Sequence, residues 1–355
     1  MLRNFTKFDV KIYKLANKNI NPRLQKKAFA QNQIAVSELA EKISAGDRSA
    51  LALGITILES STEKDIQKGT ELLDLLAPEY IKSSAWRMAI SGSPGVGKST
   101  FIEALIKNQP DGKFAILTID PSSEKTKGSI LGDKTRMESI STLDNVFVRP
   151  SPSRSVLGGV GSMTREVMLL CESAGYEYII IETVGVGQSE TTVSQMVDLF
   201  MLLVLPGSGD EIQGIKRGIV ELADIIAITK TDGDRKTIAQ QSVRAYKNAL
   251  HILSGKHDKK SIPVLPISSY TSEGIDKIWE EINSYKDYFS QESRLEKLRQ
   301  TQVMQWYDHQ LKEVIYEKFL ANKNVQKSLK THKAQIENGA VDIWSLLNQF
   351  RAGQF

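Results

Sequence analysis

The chain has 355 residues and a formal net charge of +4, with 41% hydrophobic and 25% charged side chains. This composition is ordinary for a globular protein, and the length allows more than one domain. Because the net charge is small, we expect no nucleic-acid partner. The longest apolar runs, such as residues 199–205, have the length of a strand and are too short to span a bilayer, so we expect no membrane partner either.

The only cysteine, Cys171, excludes an intrachain disulfide and fits a reducing compartment, so we expect a cytoplasmic protein. Cys171 lies in an apolar helical pattern, which favours a buried thiol over a nucleophile. The basic first residues carry Lys and Asn, whereas mitochondrial transit peptides favour Arg and Ser. We therefore interpret residues 1 to about 30 as a loosely docked leader, with a transit peptide as the alternative. The four histidines are scattered and form no metal-binding motif.

Helical periodicity dominates residues 1–85, which we predict to be an N-terminal helical extension. Apolar residues recur at steps of three and four from Gln33 to about Ser60. Gly46-Asp47-Arg48 divides this stretch into two helices, with Asp47 as the predicted N-cap of the second. A third helix is predicted from Glu63 to Leu76, because Pro78 disfavours a helical residue before it.

Strands and helices alternate over residues 86–285. Several apolar segments there lack polar alternation, which is typical of strands buried on both faces of a parallel sheet. The sequence therefore predicts a doubly wound α/β domain that binds its ligand beyond the carboxyl ends of the strands. The predicted strands are Met88–Ser91, Phe114–Ile119, Val146–Val148, Tyr178–Ile181, Phe200–Leu205, Ile225–Thr229 and Val264–Ile267. The predicted helices include Thr100–Lys107, Met163–Ala174, Ile212–Leu222 and Thr237–Leu253.

An apolar stripe at helical spacing predicts a long helix near Glu292 to Leu320, followed by helices near Asn324–Ile336 and Val341–Arg351. We interpret residues 286–355 as a C-terminal helical arm that makes a homodimer. The alternative is a helical subdomain folded back onto the sheet of its own chain.

The segment Gly92-Ser93-Pro94-Gly95-Val96-Gly97-Lys98-Ser99 fits the phosphate-binding loop G-x-x-x-x-G-K-[ST]. It lies between a predicted strand and a predicted helix, so backbone N–H groups and the positive helix end would surround a phosphate chain. Lys98 would reach the β- and γ-phosphates, and the Ser99 hydroxyl would bind Mg²⁺. The sequence therefore predicts a nucleoside triphosphate ligand with Mg²⁺. The candidate phosphate-binding residues are Gly92, Gly95, Val96, Gly97, Lys98, Ser99 and Thr100.

Three acidic residues follow in the order that triphosphate hydrolysis needs. Asp120 ends the second predicted strand, and Asp133 lies in a polar, glycine-containing stretch; both could face the metal or a water, with a solvated loop as the alternative. Glu182 ends a buried strand three residues before Gly185, which would place its carboxylate near Mg²⁺ and leave the glycine N–H to sense the γ-phosphate. The candidate metal residues are Ser99, Asp120 and Glu182, and the candidate catalytic residues are Lys98, Asp120, Asp133 and Glu182.

The segment Thr229-Lys230-Thr231-Asp232 follows a predicted strand and has the pattern of a guanine-reading motif. The Asp232 carboxylate would accept hydrogen bonds from N1–H and N2–H₂ of guanine, and the Lys230 stem would cover the base. Adenine lacks both donors, so we expect GTP and GDP as ligands in preference to ATP. Thr229 stands where Asn is usual, and we expect a weaker tether between loops. Ser268 is a candidate backbone contact for the guanine O6.

Six segments resemble one family, the MeaB (ArgK-type) methylmalonyl-CoA mutase-associated GTPases. They are Gly-Asp-Arg at 46–48, the phosphate-binding segment at 92–100, Asp-Pro-Ser-Ser at 120–123, and the motifs at 128–137, 182–190 and 206–219. The resemblance runs from about residue 40 to 285. The last two motifs are long and specific, whereas a phosphate-binding loop alone occurs in many unrelated enzymes.

The resemblance implies a homodimeric GTPase chaperone of an adenosylcobalamin-dependent methylmalonyl-CoA mutase, which gates delivery of intact cofactor and protects the mutase. It also implies a place for Lys216 in a third switch loop. Because no glutamine directly follows Gly185 to orient water, we expect slow hydrolysis without a partner. Two alternatives stay open, a metal-insertion GTPase and a nucleotide-dependent kinase of a transport protein.

Overall fold

The computed structural model describes residues 34–77, 83–120, 137–152, 163–183, 189–207, 217–253, 262–339 and 342–353. The predictions made for the leader, Asp133, Gly185 and Lys216 lie outside these ranges, as does the side chain of Asp120. The chain divides into two compact units, residues 1–294 and residues 295–355. The domain boundaries predicted at residues 85/86 and 285/286 stay predictions.

Three N-terminal helices, α1 (Val36–Ser44), α2 (Arg48–Leu58) and α3 (Glu63–Leu76), lie close to their predicted positions. The Asp47 side chain accepts a hydrogen bond from the Ala50 N–H at 2.8 Å, which confirms it as the N-cap of α2. Thr62 caps α3 in the same way, through the Asp65 N–H at 3.2 Å. Local hydrogen bonding therefore sets where these helices begin.

Seven strands form one sheet in the order β3-β2-β4-β1-β5-β6-β7, and every described pair is parallel. The predicted α/β fold class is confirmed. β1 lies in the interior, between β4 and β5, so the strands that follow it are placed on both sides of the phosphate-binding strand. The strands are β1 (Trp86–Gly92), β2 (Phe114–Asp120), β3 (Val146–Pro152), β4 (Tyr178–Glu182), β5 (Leu199–Val204), β6 (Ile225–Ile228) and β7 (Val264–Pro266).

Helices cover both faces of the sheet, as a doubly wound fold requires. They are α4 (Lys98–Lys107), α5 (Glu138–Ser141), α6 (Thr164–Ser173), α7 (Ser189–Ser194), α8 (Arg217–Leu222), α9 (Lys236–Leu253) and α10 (Ile275–Ser290). On one face Trp279 of α10 packs against the rings of Phe114 and Tyr178, at 6.3 and 5.2 Å between centroids, and donates to the Leu105 carbonyl oxygen of α4. The opposite face packs into a core that includes residues of α6, α7, α8 and α9.

The N-terminal helices lie over α6 and share its hydrophobic core. A Cβ at Gly54 of α2 would lie 2.9 Å from side-chain atoms of Ile43 and Leu170, so the missing side chain lets α2 approach α6 closely. Cys171 of α6 is fully buried, and burial raises the pKa of its thiol. The predicted structural thiol is confirmed, because a neutral buried sulfhydryl is a poor nucleophile.

The second unit contains the long helix α11 (Arg294–Ala321), apart from its first residue, together with α12 (Lys323–Glu337) and α13 (Ile343–Arg351), all close to their predicted positions. The Phe350 ring of α13 packs against Phe319 of α11 and His332 of α12, with 6.1 and 5.2 Å between ring centroids. An aromatic cluster therefore joins the three helices. None of the helices in the described ranges is long and apolar enough to cross a membrane.

Candidate functional site

The phosphate-binding loop connects β1 to α4, as the motif predicts. A Cβ at Gly92 would lie 2.5 Å from the Leu203 carbonyl oxygen, and Gly92 has a φ of 153°. Gly97, the N-cap of α4, has a φ of 101° in the left-handed region. Side chains at these two positions would clash or strain the backbone, so glycine lets the loop curl around the N-terminus of α4, where backbone N–H groups favour an anion.

Lys98 begins α4, and its ammonium group points back across the loop. Its Nζ donates to the carbonyl oxygens of Gly92 at 2.9 Å and Ser93 at 3.3 Å. The side chain is largely buried, with 8% of the residue exposed. The lysine is therefore held inside the curl of the loop, and phosphate oxygens would supply the negative charge that these neutral carbonyls lack.

Ser99 and Glu182 meet at the carboxyl edge of the sheet. The Ser99 hydroxyl, in the first turn of α4, donates to Oε1 of Glu182 at the end of β4, at 2.8 Å. A hydroxyl and a carboxylate are the hard oxygen donors that Mg²⁺ prefers, so these residues fit the metal. Within the described ranges no group of three or more His, Cys, Asp or Glu could hold a metal ion.

Asp120 ends β2 at the same edge of the sheet, since two residues earlier Thr118 is the register partner of Glu182. The backbone of Asp120 thus lies two residues beyond the register partner of Glu182, and its side chain lies outside the described residues. Asp133 and Gly185 also lie outside it, so their predicted roles stay predictions. The structure brings Lys98, Ser99 and Glu182 together as the motifs predict.

The predicted guanine-reading segment follows β6 and is tied to the phosphate-binding loop by two side chains. Thr229 Oγ1 donates to the Val96 carbonyl oxygen at 2.9 Å, and Val204 O is a second acceptor at 3.3 Å. Lys230 Nζ donates to Gly95 O at 2.8 Å. Threonine at position 229 therefore makes a direct tether between the two loops.

Asp232 and Ser268 connect the guanine-reading segment to the loop that follows β7. Ser268 Oγ donates to Asp232 Oδ1 at 3.0 Å, which orients the carboxylate that would read guanine. The Ser268 backbone N–H donates to Glu273 O at 3.0 Å, within its own loop. The sequence predicts a backbone role for Ser268, but the structure gives its hydroxyl a role that the sequence argument missed. Only the folding of the loop after β7 places that hydroxyl beside Asp232.

A second missed feature is a buried pair of hydroxyl groups. Thr183 Oγ1 donates to Ser91 Oγ at 3.0 Å, and the Thr183 N–H donates to Ile90 O at 3.1 Å. These bonds continue the β1–β4 pairing by one residue beyond Glu182. Ser91 directly precedes the phosphate-binding loop and Thr183 directly follows Glu182, so their positions could have suggested a role at the site. The sequence alone did not show that the two strand ends lie side by side.

Comparison with known proteins supports the same interpretation. A family model described as methylmalonyl-CoA mutase-associated GTPase MeaB matches residues 51–324. GTPase ArgK of Escherichia coli (strain K12) is 40% identical over 312 residues, covering 87% of this chain and 94% of that protein. A protein of Caenorhabditis elegans named methylmalonic aciduria type A homolog, mitochondrial, is 38% identical over 317 residues, covering 86% of this chain and 79% of that protein.

Among solved structures, the crystal structure of a protein named LAO/AO transport system kinase is similar to this chain. Its sequence is 34% identical, the TM-score is 0.69, and the match covers 89% of this chain and 96% of that one.

Proposed function

This chain belongs to the MeaB family of methylmalonyl-CoA mutase-associated GTPases, and from that premise we propose that it is a G-protein chaperone. Its client would be an adenosylcobalamin-dependent methylmalonyl-CoA mutase, which it would assist in cofactor loading and protect from inactivation. The match of the family model over residues 51–324 carries the proposal. The phosphate-binding loop and the guanine-reading segment, which Thr229 and Lys230 tie together, support it, because a chaperone that works through GTP must bind that nucleotide.

In this proposal the residues of the phosphate-binding loop hold GTP and position its γ-phosphate. Lys98 neutralises the β- and γ-phosphate oxygens, and the Ser99 hydroxyl with the Glu182 carboxylate holds Mg²⁺, which supplies electrostatic stabilisation of the developing charge. Asp120 and Asp133 are proposed to hold water near the metal. Gly185 would offer its N–H to the γ-phosphate.

Guanine is selected by hydrogen bonding and shape in the base site. Asp232, oriented by Ser268, accepts from N1–H and N2–H₂ of the base, and the Lys230 stem lies along the ring. Adenine has neither donor and would leave this carboxylate without a hydrogen bond from the base, so ATP should bind poorly.

Hydrolysis by this chain alone should be slow. Val186 follows Gly185, so the sequence places no glutamine there to orient the attacking water. The client or a closing loop would have to complete the catalytic arrangement. If the client controls turnover, GTP is hydrolysed mainly in the complex of chaperone and client, as the proposed role requires.

A homodimer is the proposed assembly, with α11 as its contact surface. Met304, Tyr307, Leu311, Val314 and Ile315 are exposed on α11, between 42% and 68% of each residue. The first four follow one another at steps of three, four and three residues, and Ile315 lies four residues after Leu311; this is the spacing of the contact seam of a coiled coil, so a second copy of α11 is the occupant that fits. The single buried cysteine fits a reducing compartment, and we propose the cytoplasm as the location.

The first experiment is GTP turnover by the purified protein, alone and with a purified adenosylcobalamin-dependent methylmalonyl-CoA mutase. We expect a severalfold rise in turnover with the mutase and a complex in size-exclusion chromatography. Neither a rise nor a complex would contradict the client assignment, although the GTPase itself would stand. The Lys98→Ala variant is the control for the site: it should lose turnover, and wild-type turnover in that variant would refute the assigned nucleotide site.

A kinase of a transport protein is the second candidate, because the similar crystal structure carries the name LAO/AO transport system kinase. A kinase would transfer the γ-phosphate of GTP or ATP to a protein or small-molecule hydroxyl. Incubation with γ-labelled nucleotide and candidate acceptors separates the two functions. Label recovered only as inorganic phosphate supports the GTPase chaperone, and stable label on an acceptor supports the kinase.

A further inference from the structure

The hydroxyl of Thr118 is a buried polar group at the nucleotide edge that the assigned site does not use. Thr118 lies two residues before the end of β2, and 6% of the residue is exposed. Its Oγ1 is buried and has no hydrogen-bond partner in the part of the chain that the structure describes. A hydroxyl left unpaired in this way is costly, so a partner outside the protein chain is to be expected.

The register of the sheet places Thr118 beside Glu182. The two residues are partners in the parallel pairing of β2 with β4, so their side chains project from the same face. Leu117 and Ile119, the neighbours of Thr118, belong to the core on the opposite face. Thr118 and Glu182 therefore share the face covered by α4, where Ser99 donates to Glu182 Oε1 at 2.8 Å.

A water could connect these two side chains. Thr118 Oγ1 makes no direct hydrogen bond to Glu182 although the two residues are register partners, so one water is the smallest bridge between them. Buried waters commonly occupy such places between groups that otherwise lack partners. The Thr118 hydroxyl is a group of this kind, and the Glu182 carboxylate, which already accepts from Ser99, has further lone pairs that a water could use.

We propose that Thr118 is a positioning residue for the metal site. Its hydroxyl holds the Glu182 carboxylate through one ordered water and fixes the orientation of that carboxylate toward the Mg²⁺ that Ser99 binds. This inference rests on the proposed Mg²⁺ site. Partners that orient a metal-holding side chain in this way change metal affinity on mutation by about 10- to 100-fold.

The test compares Thr118→Val, which keeps the β-branched shape and removes the hydroxyl, with Thr118→Ser, which keeps the hydroxyl. The full-length protein is loaded with GDP and titrated with Mg²⁺ by calorimetry, and GDP affinity is measured separately in EDTA. We expect Mg²⁺ to bind Thr118→Val about 10-fold more weakly, with GDP affinity in EDTA unchanged. Thr118→Ser should bind Mg²⁺ nearly as wild type does.

Ile116→Val is the matched control, because Ile116 lies two residues earlier on the same strand and face and is fully buried. It should lower the unfolding midpoint without changing Mg²⁺ affinity, whereas Thr118→Val should not lower the midpoint. Wild-type Mg²⁺ affinity in Thr118→Val would overturn this inference alone. A wild-type protein that gains no Mg²⁺ binding in the presence of GDP would overturn the proposed metal site and this inference with it.

Discussion

The Thr229 hydroxyl connects the predicted guanine-reading segment to the phosphate-binding loop, since it donates to Val96 O at 2.9 Å. The residue is 2% exposed, so water cannot easily replace this bond. Thr229 thus does by a hydroxyl what the asparagine usual at this position would do by an amide.

Thr229→Val should weaken GDP binding by about 10-fold, because the Val96 and Val204 carbonyl oxygens lose a donor in a buried place. Calorimetric titration with GDP measures the change. Thr229→Ser keeps the hydroxyl and serves as the control, with an affinity near that of wild type. An unchanged affinity in Thr229→Val would show that the tether does not support the nucleotide site.

Glu166, in the first turn of α6, gives the protein a dependence of stability on pH. Its Oε2 is buried without a hydrogen-bond partner among the described residues, and burial raises the pKa of the carboxyl from 4.5 to about 7, against smaller opposing effects of its backbone N–H and of Arg165. Between these two values the folded protein keeps a proton that the unfolded chain has released. Stability should therefore fall as pH rises from about 4.5 through 7, by up to about 3 kcal/mol.

Glu166→Gln should remove that dependence, because an amide keeps the shape without the charge. Urea unfolding at pH 5 and pH 8 measures it. The variant should match wild type in the acidic buffer and be more stable than wild type in the alkaline one. Parallel changes of both proteins with pH would show that Glu166 does not titrate as proposed.

At the scale of elements, a buried ion pair joins β1 to α6. Arg87 Nε donates to Glu172 Oε1 at 2.5 Å, and Nη2 donates to Oε2 at 3.1 Å, with 1% and 3% of the two side chains exposed. The Arg87 N–H also donates to Asp198 Oδ2 at 2.9 Å. The strand that leads into the phosphate-binding loop is thus fixed to the helix on which the N-terminal extension packs.

Glu172→Gln should destabilise the protein by about 3 kcal/mol, because it leaves the buried guanidinium without its opposite charge. Denaturant unfolding measures the loss. Glu38→Gln, which breaks the exposed Glu38–Lys42 pair of α1, is the control and should leave the midpoint nearly unchanged. Equal effects of the two substitutions would contradict a special role of the buried pair.

The boundaries of elements followed well from the sequence where a local signal existed. Asp47 and Thr62 lie at the starts of α2 and α3, because capping involves only residues within one helical turn. The predicted strand Val146–Val148 was too short, since β3 continues through Arg149 and Pro150 to Pro152 in register with β2. Proline lacks an N–H and usually indicates the end of a strand. It is tolerated in β3 because this edge strand pairs on one side only, so a missing donor on the other side costs no ladder hydrogen bond.

For the whole molecule, the exposed apolar seam of α11 predicts the assembly. Leu311→Glu should weaken the proposed homodimer, because it would bury a charge between two helices. Light scattering after size-exclusion chromatography measures the mass. Lys312→Glu is the control, because Lys312 is the next residue in the chain and is also exposed but is not one of the seam residues. This variant should stay dimeric.

A wild-type protein that is monomeric at micromolar concentration would contradict the dimer, and a dimer that survives Leu311→Glu would move the contact away from this seam. Since Leu311 is exposed, the substitution should leave helicity and GTP affinity intact. Loss of either would mean that the variant had failed to fold and could not test the assembly.

The sequence by itself determined the fold class and the phosphate-binding loop, and it indicated which residues would read guanine and hold Mg²⁺. These features are local: apolar periodicity, glycine spacing and capping depend on residues that are neighbours along the chain. The resemblance to the MeaB family also came from uninterrupted motifs. For these reasons the confirmed predictions are those in which one segment carries the whole signal.

Only the tertiary structure decided which distant side chains meet. Thr229 and Val96 are 133 residues apart, and Arg87 and Glu172 are 85 apart, yet each pair is in direct contact. Thr118 came to lie beside Glu182 because β4 inserts between β1 and β2 in the sheet. Strand order and register are set by the packing of the entire core, so no local pattern in the sequence specifies these partners.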